Sequence, residues 1–91
     1  MTKKNVLTES MEDYLEAIWA LERLHDTARA KDIAERLGVQ RGTVTGALKT
    51  LEEKGLINYA PYSHITLTPQ GAEIAGEITR RHKVIRNFLT E

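Results

Sequence analysis

Two short runs of apolar residues at helical spacing, separated by a three-residue turn, constrain the fold of this chain more than any other feature. The first run is Ala30, Ile33, Ala34 and Leu37, and the second is Val44, Ala47, Leu48 and Leu51. Positions i, i+3, i+4 and i+7 share one face of an α-helix. Gly38 stands where a glycine commonly ends a helix. The spacing predicts a helix-turn-helix whose second helix covers about residues 41–54.

The flanking sequence completes a mainly α fold with a small β-hairpin. A first helix is expected from the N-cap Thr8 to about Leu24, with one apolar face and a second, partly apolar side that another element should cover. Residues 56–67 alternate as two half-buried strands do. Thr68 followed by Pro69 is a strong helix start. We therefore predict a winged helix-turn-helix domain in residues 1–68 and a fourth, linking helix in residues 69–91.

Composition excludes several classes of function. The 91 residues include no cysteine, which removes disulfides and thiolate chemistry, and no glycine-rich phosphate loop is present. We do not expect an enzyme. No apolar run approaches the roughly 20 residues of a membrane span, and no apolar segment follows the N-terminal lysines as in a secretion signal. A cytoplasmic location is therefore expected.

Charge is concentrated locally although the net charge is zero. Residues 29–50 carry five basic and two acidic side chains, whereas residues 1–28 carry three basic and six acidic ones. A DNA-binding protein must neutralise phosphates, so the basic segment is the candidate DNA surface.

The outward face of the predicted third helix is rich in small and hydroxyl-bearing residues. Small residues let a helix backbone approach the floor of a DNA groove, and threonine methyl groups can touch thymine methyl groups. Glutamine and arginine at the start of the helix can make bidentate contacts to adenine and guanine. The predicted contacts of this helix are Gln40, Arg41, Gly42, Thr43, Thr45, Gly46 and Lys49. The alternative is a three-helix packing motif with a solvated outer face.

Two further groups of residues extend the predicted DNA surface. Arg29 and Lys31, with Lys49, are expected to contact phosphates, which position a protein without reading sequence. Ser63 and His64 lie at the tip of the hairpin, where a wing would follow the backbone or the minor groove. His64 could equally be an ordinary turn residue.

The order and spacing of several short strings resemble one known family. The strings are residues 11–18 (MEDYLEAI), 32–39 (DIAERLGV), 43–45 (TVT), 51–57 (LEEKGLI), 59–62 (YAPY), 67–71 (LTPQG) and 80–82 (RRH). Together they resemble the N-terminal winged-helix portion of the metal-dependent repressors of the diphtheria toxin repressor and manganese transport regulator group. The resemblance implies a homodimer that binds Mn(II) or Fe(II), then binds palindromic double-stranded operators and represses metal-uptake genes.

The resemblance also implies metal ligands. In manganese-type members an Asp and a Glu of the first helix and a His of the fourth are ligands, and these match Asp13, Glu16 and His82. Iron-type members carry methionine at the first position, so Asp13 favours manganese. Two carboxylates and an imidazole suit either ion. The alternatives are a solvated Asp-x-x-Glu face and a hydrogen-bonded core histidine, because His82 falls on the apolar stripe of its helix.

The chain departs from the family pattern in two respects. The family's dimerisation region, which supplies the remaining ligands, would lie beyond residue 91, and three ligands do not fill an octahedral shell. Arg86 also occupies the position of a glutamate in the ancillary site of iron-type members. A winged-helix regulator without metal, and a winged-helix adapter that binds another protein, therefore stay open as alternatives.

Overall fold

A computed structural model of the chain describes residues 8–25, 27–59 and 64–89, with side chains as far as Arg81. In this part of the chain the elements follow in the order α1 (Glu9–His25), α2 (Ala30–Leu37), α3 (Arg41–Glu53), β1 (Ile57–Tyr59), β2 (Ile65–Leu67) and α4 (Pro69–Leu89). The predicted winged-helix arrangement, mainly α with one hairpin, is confirmed. Predicted helix ends differ from the observed ones by a single residue at His25 and at Glu53.

Capping residues fix where the helices begin and end. The Thr8 hydroxyl accepts the Met11 N–H at 3.1 Å, and the Thr68 hydroxyl accepts the Gly71 N–H at 3.0 Å, as an N-cap does. Gly38 ends α2 at φ 70°, and its N–H donates to the Ala34 carbonyl at 2.8 Å. That left-handed conformation carries little steric cost for glycine, so the chain turns sharply from α2 into α3.

The core lies where the four helices and the hairpin meet. Fully buried side chains come from each helix and from the hairpin, which ties them into one packing unit; the largest are Leu15, Ile18, Ile33, Val44, Leu48, Leu51, Ile65 and Ile78. Fully burying an aliphatic side chain of this size contributes about 1.5–3 kcal/mol. Val44, Leu48 and Leu51 form the buried stripe of α3, and this core stripe fixes which face of the helix points outward.

The hairpin is antiparallel, and the segment before α2 extends it. β1 pairs with β2 in the register Ile57↔Leu67, Asn58↔Thr66 and Tyr59↔Ile65. On the other edge of β2, Ile65 exchanges two backbone hydrogen bonds with Ala28, at 2.8 and 3.2 Å. This bridge joins the base of the wing to the helix-turn-helix.

The fourth helix runs antiparallel to α1 and covers one of its sides. Glu22, near the end of α1, is hydrogen-bonded to Leu67, just before α4 begins. One turn earlier in α1, the Trp19 ring lies against Gly76 of α4. Trp19 and Glu22 are not among the residues of the second, partly apolar side predicted for α1 (Ala17, Ala20 and Leu24), and on that side Leu24 stays 66% exposed. None of the helices, within the residues described, has the length and hydropathy needed to cross a bilayer.

Candidate nucleic-acid interface

The outward side of α3 is open to solvent along its first three turns. Val44, Leu48 and Leu51 hold the opposite side in the core with no exposed surface. The predicted contact residues of this helix are all exposed, namely Arg41, Gly42, Thr43, Thr45, Gly46 and Lys49. We call this set the α3 outer face. It is an exposed helical surface, and the DNA major groove is wide enough to admit an α-helix.

Two glycines leave the middle of the α3 outer face bare. A Cβ atom added at Gly42 or at Gly46 would meet nothing within 4 Å. A glycine inside a helix costs about 1 kcal/mol relative to alanine, and packing within the described fold does not require either one. The helix backbone at both positions is therefore open to close approach from outside.

Two of the three threonines of α3 donate their hydroxyl hydrogens to carbonyl groups of the same helix. The Thr45 hydroxyl donates to the Arg41 carbonyl at 3.1 Å, and the Thr50 hydroxyl donates to the Gly46 carbonyl at 3.2 Å. Thr45 is exposed, whereas Thr50 is only partly so. With its hydrogen engaged inside the helix, Thr45 can offer a methyl group and an acceptor oxygen to a base edge.

The start of α3 holds the two side chains with base-reading chemistry. Gln40 is the N-cap residue, but its side chain makes no capping hydrogen bond, so the exposed amide is not committed to the helix end. Arg41 is the first helical residue and is also exposed. Both are therefore exposed at the N-terminal end of α3, the end at which the second helix of helix-turn-helix proteins contacts base edges.

The far end of α3 has the opposite charge. Glu52 and Glu53 are exposed in the last turn, after Lys49. A carboxylate repels phosphate, so these two residues favour a docking mode in which only the N-terminal half of α3 lies against DNA.

The remaining predicted DNA contacts flank α3. Arg29 is the N-cap residue of α2, Lys31 lies in its first turn, and both are exposed. His64 is exposed immediately before β2 and borders a cleft shared with Glu52, Tyr59 and Thr68. Ser63 lies outside the described residues.

The predicted metal ligands lie on the two helices that pack antiparallel. Asp13 is exposed and Glu16 is half-buried, one turn apart on α1. Burial raises the pKa of the neighbouring Tyr14 phenol above its usual value. Position 82 belongs to α4, but the His82 side chain lies outside the described residues. No group of three potential ligands is assembled among the side chains that the structure describes.

Because α1 and α4 pack antiparallel, Asp13 and position 82 lie toward the same end of this helix pair. Trp19 contacts Gly76. Asp13 lies six residues before Trp19, and His82 lies six residues after Gly76, so each is about 9 Å along its helix from that contact, in the same direction. Thr79, between Gly76 and His82, has a buried hydroxyl without a hydrogen-bond partner among the described residues. Two carboxylates and an imidazole are donors of the kinds that Mn(II) and Fe(II) accept.

Two residues with structural roles at this junction were not singled out from the sequence. Gly71 lies directly against the Leu56 backbone, and Glu22 binds a backbone N–H of the wing. Gly71 belongs to the string 67–71, so a glycine one turn after a helix start was a usable signal. Nothing local in the sequence marks Glu22, because its partner is 45 residues away.

Known transcription regulators are similar in sequence to this chain. The transcriptional regulator MntR of Escherichia coli is 42% identical over 81 residues, which are 89% of this chain and 52% of the relative. MntR of Lysinibacillus sphaericus is 38% identical over 82 residues, which are 90% of this chain and 59% of the relative. The chain thus spans between a half and three fifths of the length of these relatives.

A solved structure with the same fold is the complex of Staphylococcus aureus MepR with DNA. It aligns with a TM-score of 0.74 at 26% identity, covering 91% of this chain and 62% of MepR. The family described as "Iron dependent repressor, N-terminal DNA binding domain" matches residues 6–65. Because that match covers more than half of the sequence, the chain belongs to the iron-dependent repressor family.

Proposed function

We propose that this chain is the DNA-binding part of a metal-responsive transcription repressor and that α3 reads the major groove of a palindromic operator. The observation that carries the proposal is the α3 outer face, which is exposed, contains two bare glycines and lies opposite a fully buried core stripe. Family membership and the MntR relatives support it. The DNA-bound structure of MepR, which has the same fold, supports it further.

The proposed contacts divide by chemistry. Gln40 and Arg41 read base edges at the start of α3, and Thr45 contributes a methyl contact. Gly42 and Gly46 allow the backbone to approach, and Thr43 flanks them. Lys49, Arg29 and Lys31 bind phosphates, which fix the register of the domain on the duplex. Ser63 and His64, at the wing, follow the neighbouring backbone.

The double substitution Arg41→Ala/Lys49→Ala is expected to weaken binding to a duplex selected from a random-sequence pool by at least about tenfold. The proposed base contact of Arg41 alone corresponds to about 1–3 kcal/mol of discrimination against a wrong base. Removing one phosphate contact should also lower the slope of log affinity against log salt by about 0.9. Fluorescence anisotropy at several salt concentrations measures both effects.

A matched control is Arg80→Ala/Lys54→Ala, which removes two exposed basic residues away from the α3 outer face. This control should keep most of the affinity of the wild type. If the Arg41→Ala/Lys49→Ala variant binds the selected duplex as the wild type does, the proposed reading surface is wrong and an adapter function gains support.

We also propose that Asp13, Glu16 and His82 hold a divalent cation, Mn(II) or Fe(II), with manganese favoured. A bound cation supplies positive charge to which carboxylate oxygens and an imidazole nitrogen of two different helices can bind. Asp13 and Glu16 would then bind from α1 and His82 from α4. Three ligands leave coordination positions for water or for residues outside residues 1–91.

We propose that the boundary predicted between residues 68 and 69 separates two functions. Residues 1–68 form the DNA-binding domain, and residues 69–91, which include α4, lead toward a dimerisation region of the whole protein. A palindromic operator requires two copies of α3 about one helical turn of DNA apart, which a homodimer joined beyond residue 91 would provide.

Mn(II) is expected to stabilise the native gene product, and Asp13→Ala should remove more than half of that stabilisation. A ligand at 100 times its dissociation constant stabilises a folded protein by about 2.7 kcal/mol. Thermal unfolding with and without Mn(II) measures the gain, and the fluorescence of Trp19, the single tryptophan, reports on the α1–α4 contact. Glu73→Ala, an exposed acid on α4, is the control and should respond like the wild type. Equal stabilisation of the Asp13→Ala variant would contradict the assigned ligand.

A further inference from the structure

The outer edge of β2 has a backbone donor beyond the bridge to Ala28. Ile65 uses both its N–H and its carbonyl on that edge to pair with Ala28. Strand geometry repeats every two residues, so the N–H of Leu67 points to the same edge. A buried N–H without an acceptor is costly, and this donor is only partly exposed. The base of the wing therefore needs an acceptor from another element.

Glu22 of α1 provides that acceptor. Its Oε2 atom accepts the Leu67 N–H at 3.1 Å, and the Glu22 side chain is half-buried. A hydrogen bond to a carboxylate is stronger than one between neutral groups. The carboxylate thus occupies the place that a longer neighbouring strand would fill, and it attaches the end of the wing to α1.

The same short segment also holds the end of α3. Thr68, which follows Leu67, donates its N–H to the Leu56 carbonyl at 3.1 Å and its hydroxyl to the Gly55 carbonyl at 2.8 Å. Residues 67–68 therefore connect the wing and α1 to the turn that follows α3. A shift of this segment would change the angle between the wing and α3.

We propose that Glu22 is a positioning residue for DNA binding: its carboxylate holds the wing at the angle to α3 that lets both contact one duplex. This inference rests on the proposed DNA-binding function, and Glu22 itself contacts no DNA. It concerns α1 at the end opposite to Asp13 and does not depend on the metal ligands.

The test compares Glu22→Ala, which removes the acceptor, with Glu22→Gln, which retains a neutral one. Glu77→Ala removes the same charge from an exposed position on α4 and serves as the control. Amide hydrogen exchange at Leu67 measured by NMR reports on the hydrogen bond. Anisotropy with the selected duplex reports on DNA binding, and circular dichroism checks the fold.

We expect Glu22→Ala to speed exchange at Leu67 by at least about tenfold and to weaken duplex binding by about tenfold, with its helical content retained. Glu22→Gln should fall between this variant and the wild type in both measurements, and Glu77→Ala should match the wild type. If Glu22→Ala fails to fold, Glu22→Gln must still show faster exchange at Leu67 and weaker duplex binding than Glu77→Ala.

Two results would overturn the inference. One is unchanged exchange at Leu67 in Glu22→Ala. The other is faster exchange with unchanged duplex affinity, which would make the bond purely structural. A wild-type protein that binds no selected duplex would overturn the proposed function as well, so the two failures are distinguishable.

Discussion

Replacing Gly71 with alanine is expected to destabilise the domain by about 3 kcal/mol, the upper part of the usual range for overpacking. An added Cβ would overlap the Leu56 carbonyl oxygen and come within 2.8 Å of the Leu56 carbonyl carbon. The obstructing atoms belong to the backbone, so a side-chain rotation cannot relieve the overlap. For a domain of this size the melting temperature should fall by roughly 12–24 °C.

The surroundings of Leu56 make this shift costly. Its carbonyl accepts the Thr68 N–H, its own N–H donates to the Leu51 carbonyl at 3.1 Å, and its side chain is buried. Moving the Leu56 backbone would disturb the end of α3, the start of β1 and the start of α4 together. The close approach of α4 to this turn is therefore a condition of the fold.

Thermal unfolding of two other glycine variants provides the controls. At Gly76 an added Cβ would lie 3.1 Å from the Trp19 ring, a side chain that can move, so Gly76→Ala should cost much less. At Gly42 the space is open, so Gly42→Ala should leave the melting temperature unchanged or raise it. A Gly71→Ala variant that melts within a few degrees of the wild type would contradict the close packing described.

The helices could be predicted from the sequence because their signals are local. The Thr8 and Thr68 caps and the left-handed Gly38 each act within three or four residues, and the core stripe of α3 follows from its own spacing. The exposed α3 outer face follows from the same stripe, because the two lie on opposite sides of one helix. This part of the candidate site needed no tertiary information.

Long-range contacts could not be predicted in this way. The bridge between Ala28 and Ile65 and the bond between Glu22 and Leu67 each join residues far apart in the sequence, and neither has a local pattern. The partly apolar second side of α1 led us to expect that another element covers it, but Leu24 on that side is exposed. The metal ligands came from the resemblance alone, and they stay a prediction.

The second large effect concerns Gly46, in the centre of the α3 outer face. Glutamate and lysine are both better helix formers than glycine, and an added Cβ at this position meets nothing within 4 Å. Gly46→Glu and Gly46→Lys should therefore both fold and be at least as stable as the wild type. The two variants have side chains of similar length and opposite charge, so any difference in DNA binding between them reports on the electrostatics of this face.

On a DNA-reading face the two variants should behave oppositely. A glutamate at Gly46 would place a negative charge against the phosphates, and juxtaposed like charges cost several kcal/mol. A loss of about 100-fold corresponds to about 2.8 kcal/mol. A lysine there can add a phosphate contact, which would steepen the slope of log affinity against log salt by about 0.9. The affinity gained from this contact would offset the affinity lost because the lysine side chain is larger than glycine.

The most direct test of the account is the affinity of these two variants for the selected duplex, measured across a range of salt concentrations. We predict that Gly46→Glu binds at least about 100-fold more weakly than the wild type. Gly46→Lys should stay within about tenfold and show a steeper salt dependence. If both folded variants bind the selected duplex as tightly as the wild type does, α3 does not face DNA, and the proposed function is wrong.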